Sequence, residues 1–134
     1  MKGDIRLLLV DDNSSLCKTM SFILERKGYD VHTVNDGESA ISKVREQIFD
    51  VIYMDIKMPK MNGVETLKKI KIIRPDALVV MMTAYAVSDL VQDAIQEGAR
   101  AVLYKPFDMD DVLKQIEDLV SPGNWLGPER PSRT

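Results

Sequence analysis

Asp11 with Asp12, Asp55, Thr83 and Lys105 follow directly on four short, mainly apolar runs, Ile5–Val10, Val51–Met54, Ala77–Met82 and Ala101–Tyr104. Three carboxylates gathered within a few ångströms repel one another, and their charge calls for a cation. An oxygen-rich, partly hydrated cluster suits Mg²⁺. A metal held there beside an ammonium and a hydroxyl would neutralise the oxygens of a phosphoryl group in transfer, leaving one carboxylate to act as nucleophile. The chemistry this suggests is phosphorylation of an aspartate. Each residue has a plainer reading alone. Asp11-Asp12-Asn13-Ser14 could be a cluster of helix caps, Asp55 could open the turn that leads to Pro59, Asn62 and Gly63, Thr83 could be a β-branched strand residue, and Lys105-Pro106 could be an exposed turn.

What would gather these residues is the order of elements. Ile5–Val10 reads as a strand, followed by a helix carrying Leu16, Met20, Ile23 and Leu24 on one face and closed by Gly28. Val31–Val34 alternates with polar residues, as an edge strand does, and precedes a helix with the apolar stripe Ala40, Ile41, Val44 and Ile48. Val51–Met54 and Ala77–Met82 are continuously apolar, the pattern of strands buried on both faces. Their helices carry Val64, Leu67 and Ile70, then Leu90, Val91, Ala94 and Ile95. Ala101–Tyr104 is the fifth strand, and a last helix starts at Asp108 as N-cap, with Met109, Val112, Leu113, Ile116 and Val120 facing inward. Strict alternation predicts right-handed crossovers and a parallel sheet with helices on both faces, a three-layer α/β fold. In such a sheet ligands bind beyond the carboxyl ends of the strands, where the five polar residues fall.

Composition narrows the function classes. The 134 residues, 45% hydrophobic and 29% charged, suffice for one domain with a real core. With 18 basic against 21 acidic side chains the net charge is −3, which offers no attraction for a nucleic-acid backbone or an anionic membrane surface. No apolar run approaches the roughly 18 residues of a membrane span, and the start shows no cleavage-type signal, so the expected location is cytoplasmic. Cys17 is the sole cysteine and reads as a core thiol. His32, on the edge-like strand, reads as solvated, and methionines 54, 58, 61, 81 and 82 as gap fillers around the sheet. Residues 1–120 are expected to form the domain and the Pro/Gly-rich 121–134, which contains Trp125, a flexible tail.

Strand one with Asp11-Asp12, MDIKMPKMNG from Met54 to Gly63, MMTAY from Met81 and GARAVLYKPFD from Gly98 together resemble a response-regulator receiver domain, the CheY-like family of two-component signalling. The resemblance spans about residues 5–120 and implies the strand order 2-1-3-4-5. It implies Asp55 as phosphoacceptor, and Asp12, Asp55 and the backbone carbonyl of Lys57 as direct Mg²⁺ ligands, with Mn²⁺ an alternative ion and Asp11 acting through water. It further implies that Lys105 pairs with the acyl-phosphate oxygens, that Thr83 moves to the phosphoryl group, and that the Lys105–Pro106 peptide is cis. The partners it implies are a sensor histidine kinase or phosphotransfer protein and a downstream target or effector domain. The output would run through the face of helix four, strand five and helix five, with a homodimer on phosphorylation compatible with it. Such a module catalyses only its own phosphorylation and dephosphorylation and is not an enzyme in the ordinary sense.

One position departs from the family pattern. The aromatic switch that relatives carry three residues before the lysine is Val102 here, and a ring stands instead at Tyr104, on the same strand face. Either Tyr104 partly replaces that ring or it is a fixed part of the surface. Two other readings use the same residues: a metal-dependent phosphohydrolase, for whose lid the chain is too short, and an unphosphorylated scaffold, against which the joint presence of Asp11, Asp12, Asp55, Thr83 and Lys105 speaks.

Overall fold

The computed structural model describes residues 4–84 and 89–121. Five strands and five helices alternate: β1 (Arg6–Val10), α1 (Ser14–Arg26), β2 (Asp30–Val34), α2 (Gly37–Glu46), β3 (Val51–Asp55), α3 (Gly63–Ile73), β4 (Val79–Thr83), α4 (Asp89–Gln96), β5 (Ala101–Tyr104) and α5 (Met109–Val120). The strands form one sheet in the order β2-β1-β3-β4-β5, all neighbours parallel, as expected. The Trp125 tail reading and residues 85–88 lie outside the described residues. No described helix is long and apolar enough to cross a membrane.

The period-two geometry of the central strands makes two cores. Leu8, Val10, Ile52, Met54, Val79 and Met81 meet α2, α3 and α4 on one side, while Leu7, Leu9, Val51, Tyr53, Val80 and Met82 meet α1 and α5 on the other. Each fully buried aliphatic or aromatic side chain contributes about 1.5–3 kcal/mol relative to exposure. Most predicted inward residues of the helices are buried: Met20 and Leu24, Ala40, Ile41 and Val44, Val64, Leu67 and Ile70, Val91 and Ala94, Val112 and Ile116. Met54, Met58, Met81 and Met82 are buried, and Met61 packs against the core that holds the first three, the gap-filling role expected. Cys17 is buried too.

Three expectations need correction. Ile48 does not continue the α2 stripe: the helix ends at Glu46, Gln47 turns extended at φ −141° and ψ 154°, and Ile48 is 47% exposed. Ile95 is 51% exposed, because the described part of α4 turns Val91 and Ala94 inward instead. His32 is not solvated. It is half-buried, its Nε2 lies 3.2 Å from Asp30 Oδ1, and its ring meets Phe49 edge-on at 5.5 Å. Strand boundaries shift by a residue or two; Asp55 and Thr83 are the last residues of β3 and β4 rather than the first beyond them.

Candidate functional site at the carboxyl edge of the sheet

The turn after β1 decides what the acidic pair does. The N-cap of α1 is Asn13, whose side chain accepts from the Leu16 N–H at 3.1 Å, so neither Asp11 nor Asp12 is consumed in capping α1. Asp11 is buried and Asp12 exposed. Asp11 Oδ1 accepts the Asn13 N–H at 2.9 Å and its Oδ2 accepts Lys105 Nζ at 2.8 Å. The main-chain carbonyl of Asp11 accepts Asn35 Nδ2 at 3.0 Å and the Cys17 thiol at 3.5 Å. That thiol is pushed up to about 11, first by burial and then by the charge of Asp11, so it stays protonated.

β1 and β3 are neighbours, Val10 opposite Met54, which brings Asp55 beside the acidic pair. One carboxylate oxygen each from Asp11, Asp12 and Asp55 lies within 4.8 Å of the others. Lys105 Nζ is 3.6 Å from Asp55 Oδ2 and so bridges the two buried carboxylates. Burial and the charge of Asp11 raise Asp55 to about 6 against the opposing pull of Lys105 and the Lys57 backbone N–H. Burial works against the Lys105 ammonium, but the Asp11 hydrogen bond and the charges of Asp55 and Asp11 together hold it above the ordinary lysine value.

The other expected residues fall around this cluster. Thr83 is buried at the end of β4, one residue beyond Met82, the register partner of Asp55. Its carbonyl accepts the Lys105 N–H at 2.7 Å, fixing the start of the lysine loop, and the Lys105–Pro106 peptide is cis as expected. Tyr104 pairs with Thr83 in register and is 45% exposed; Val102 packs against the core shared with α4. Lys57 is exposed and, with Asp12, Met58, Pro59, Asn62 and Leu90, lines a cleft of about 440 Å³.

The β3–α3 loop returns to the sheet at Gly63, whose N–H donates to the Ile56 carbonyl at 2.7 Å. A Cβ there would lie 2.3 Å from the Asp55 carbonyl oxygen and 2.8 Å from Ile56 Cα, so only glycine allows this approach. Asn62 and Glu65 close a reciprocal capping box in front of α3. The sequence marked Asn62 and Gly63 as turn formers but gave no sign of the contact with Asp55. Asn35 was missed altogether, because a lone loop asparagine carries no chemical signature. The all-oxygen donor set, with one exposed carboxylate beside two buried ones, fits a hard, partly hydrated divalent cation.

The sequence model of the response regulator receiver domain matches residues 7–117. The chain is 36% identical over 131 residues to the transcriptional regulatory protein ZraR of Escherichia coli K12, covering 98% of this chain but 30% of that protein. The curated relatives of that kind are thus about three times as long as the matched segment. Similarity to the chemotaxis protein CheY of Bacillus subtilis is 38% over 112 residues, 83% of this chain and 93% of that one. Among solved structures, the CheX–CheY–BeF₃–Mg²⁺ complex from Borrelia burgdorferi superposes with a TM-score of 0.80 at 31% identity, covering 87% of this chain and 90% of its counterpart. On the match that spans nearly the whole sheet and its helices, the chain belongs to the response regulator receiver domains, the phosphorylation-driven signalling modules of two-component systems.

Proposed function

We propose that Asp55 is the phosphoacceptor of this receiver and that its phosphoryl group comes from the phosphohistidine of a sensor kinase or phosphotransfer protein. The observation that carries this is the placement of Asp55: it ends the central strand β3, its carboxylate within 4.8 Å of ligand atoms from Asp11 and Asp12 and 3.6 Å from Lys105. An Asp55 carboxylate oxygen forms the new O–P bond as the P–N bond to the donor imidazole breaks, and the imidazole keeps the departing electron pair and takes up a proton. Asp12, Asp55 and the Lys57 carbonyl would hold Mg²⁺, with Mn²⁺ as an alternative and Asp11 bonded through water. When bound, the ion offsets charge on the phosphoryl oxygens. Lys105 swings its ammonium from the carboxylates onto a phosphoryl oxygen, and Thr83 donates its hydroxyl to another. The Mg²⁺ and beryllofluoride held by the Borrelia relative support this arrangement.

The output face in this reading is α4, β5 and α5, where Ile95 and Tyr104 stand exposed. The division into a domain over 1–120 and a tail from 121, a cytoplasmic location, a downstream protein or effector domain as target, and homodimer formation on phosphorylation belong to the same proposal. The test is the intact mass of wild type and Asp55→Asn after incubation with acetyl phosphate, with Mg²⁺ or with EDTA. One phosphoryl increment on wild type, with Mg²⁺ only and none on Asp55→Asn, is expected. Equal labelling of Asp55→Asn overturns the assignment.

A further inference from the structure

We infer that Asn35, in the loop between β2 and α2, is a positioning residue for the acidic cluster: it holds the main chain of Asp11 and through it orients both Asp11 and Asp12. This rests on the reading of the cluster as the Mg²⁺ site. Val34 pairs with Val10, and one residue further on the Val34 carbonyl accepts the Asp11 N–H at 3.3 Å while Asn35 Nδ2 donates to the Asp11 carbonyl at 3.0 Å. The end of β2 therefore clamps Asp11 at both of its main-chain polar atoms. The Asp11 carbonyl lies in the same rigid peptide plane as the Asp12 nitrogen, so fixing its direction fixes the point from which the Asp12 side chain departs.

Asp12 needs such a brace more than Asp11 does. The Asp11 carboxylate is held at both oxygens, by the Asn13 N–H at 2.9 Å and by Lys105 at 2.8 Å, whereas Asp12 is exposed. Among the described residues the other donor to the Asp11 carbonyl is a thiol at 3.5 Å, a weak one, which leaves Asn35 as the stronger brace. Groups that orient metal ligands from behind change metal affinity when removed, though they never touch the ion.

The experiment uses the full chain as wild type, Asn35→Ala and Ile41→Val, the last an aliphatic truncation in the α2 core that lowers stability away from the site. Mg²⁺ affinity is measured by titration calorimetry with MgCl₂, melting temperature in EDTA, and the Asn13 amide resonance in the metal-free protein. Asn35→Ala is expected to weaken Mg²⁺ binding by about threefold to tenfold and to move the Asn13 amide, which reports the Asp11 carboxylate. Ile41→Val is expected to lower the melting temperature and leave Mg²⁺ affinity within about twofold of wild type. Wild-type affinity in Asn35→Ala, or the same loss in Ile41→Val, overturns the inference. A wild type that takes up no Mg²⁺ overturns the ligand reading instead; the Asn13 amide then decides on Asn35, and an unmoved resonance rejects its role.

Discussion

In the proposed reading the chemistry turns on Asp55, and a proton there would compete with the metal. Its folded value of about 6 lies above the ordinary 3.8, so the metal-free fold favours the protonated form more than the unfolded chain does. The stability this group contributes is therefore complete below about pH 4 and lost as pH rises through 6. If Asp55 is a Mg²⁺ ligand as proposed, the ion needs its carboxylate, and Mg²⁺ affinity measured by titration calorimetry is expected to rise across the same interval. Lys105 is the main force opposing the upward shift, and its removal leaves Asp11 and Asp55 facing each other buried and uncompensated. Lys105→Ala is expected to raise the Asp55 titration midpoint, read by carboxyl ¹³C NMR in EDTA, and to lower metal-free stability by about 1–3 kcal/mol. An unshifted midpoint would show that the ammonium does not govern this carboxylate.

At the scale of elements, the site depends on loops brought within backbone contact of strand ends. Gly63 is the tightest case: the first turn of α3 rests on the Asp55 carbonyl with no room for a methyl group. Gly63→Ala is expected to cost about 1–3 kcal/mol by displacing α3 from β3 and to slow phosphorylation of Asp55 with it; a variant as stable and as readily labelled as wild type would refute the close approach. Across the sheet, Tyr104 stands exposed opposite Thr83 while the smaller Val102 fills the neighbouring core position. Thr83→Ala is expected to take up phosphate yet lose the spread of beryllofluoride-induced amide shifts into α4. Tyr104→Ala should keep those shifts near the site and weaken them over α4. A wild-type α4 response from Tyr104→Ala would make the ring a passive part of the surface.

For the molecule as a whole, most of the architecture was legible because hydrophobic period and chain order are both explicit in the residues. Val51–Met54 and Ala77–Met82 read as doubly covered strands from their continuous apolar runs, and β3 and β4 are buried throughout. The strand order came from family resemblance, since periodicity cannot say which parallel neighbours pair. Ile48 was misplaced because a helical period extrapolates past a helix end that no Gly or Pro announces. Ile95 falls at the edge of an apolar stripe whose buried positions are Val91 and Ala94, and a helical period does not say how wide the covered stripe is. His32 was misread because an edge strand still has one face against the protein, here supplied by Phe49. Asp11, Asp12, Asp55 and Lys105 were legible as chemistry-bearing groups at strand ends and do converge. Asn35 and the Asp55 contact of Gly63 were not, for both depend on the register of elements distant in sequence.

In the proposed function one carboxylate, Asp55, takes the phosphoryl group while its neighbours hold the metal. Borohydride reduction converts an aspartyl phosphate to homoserine and leaves free aspartates unchanged, so peptide mass mapping of the reduced, Mg²⁺-phosphorylated chain reads the site directly. Homoserine at position 55 with aspartate retained at 11 and 12 is expected; homoserine at 11 or 12, or an unmodified 55 in a protein that has gained a phosphoryl group, would overturn the assignment.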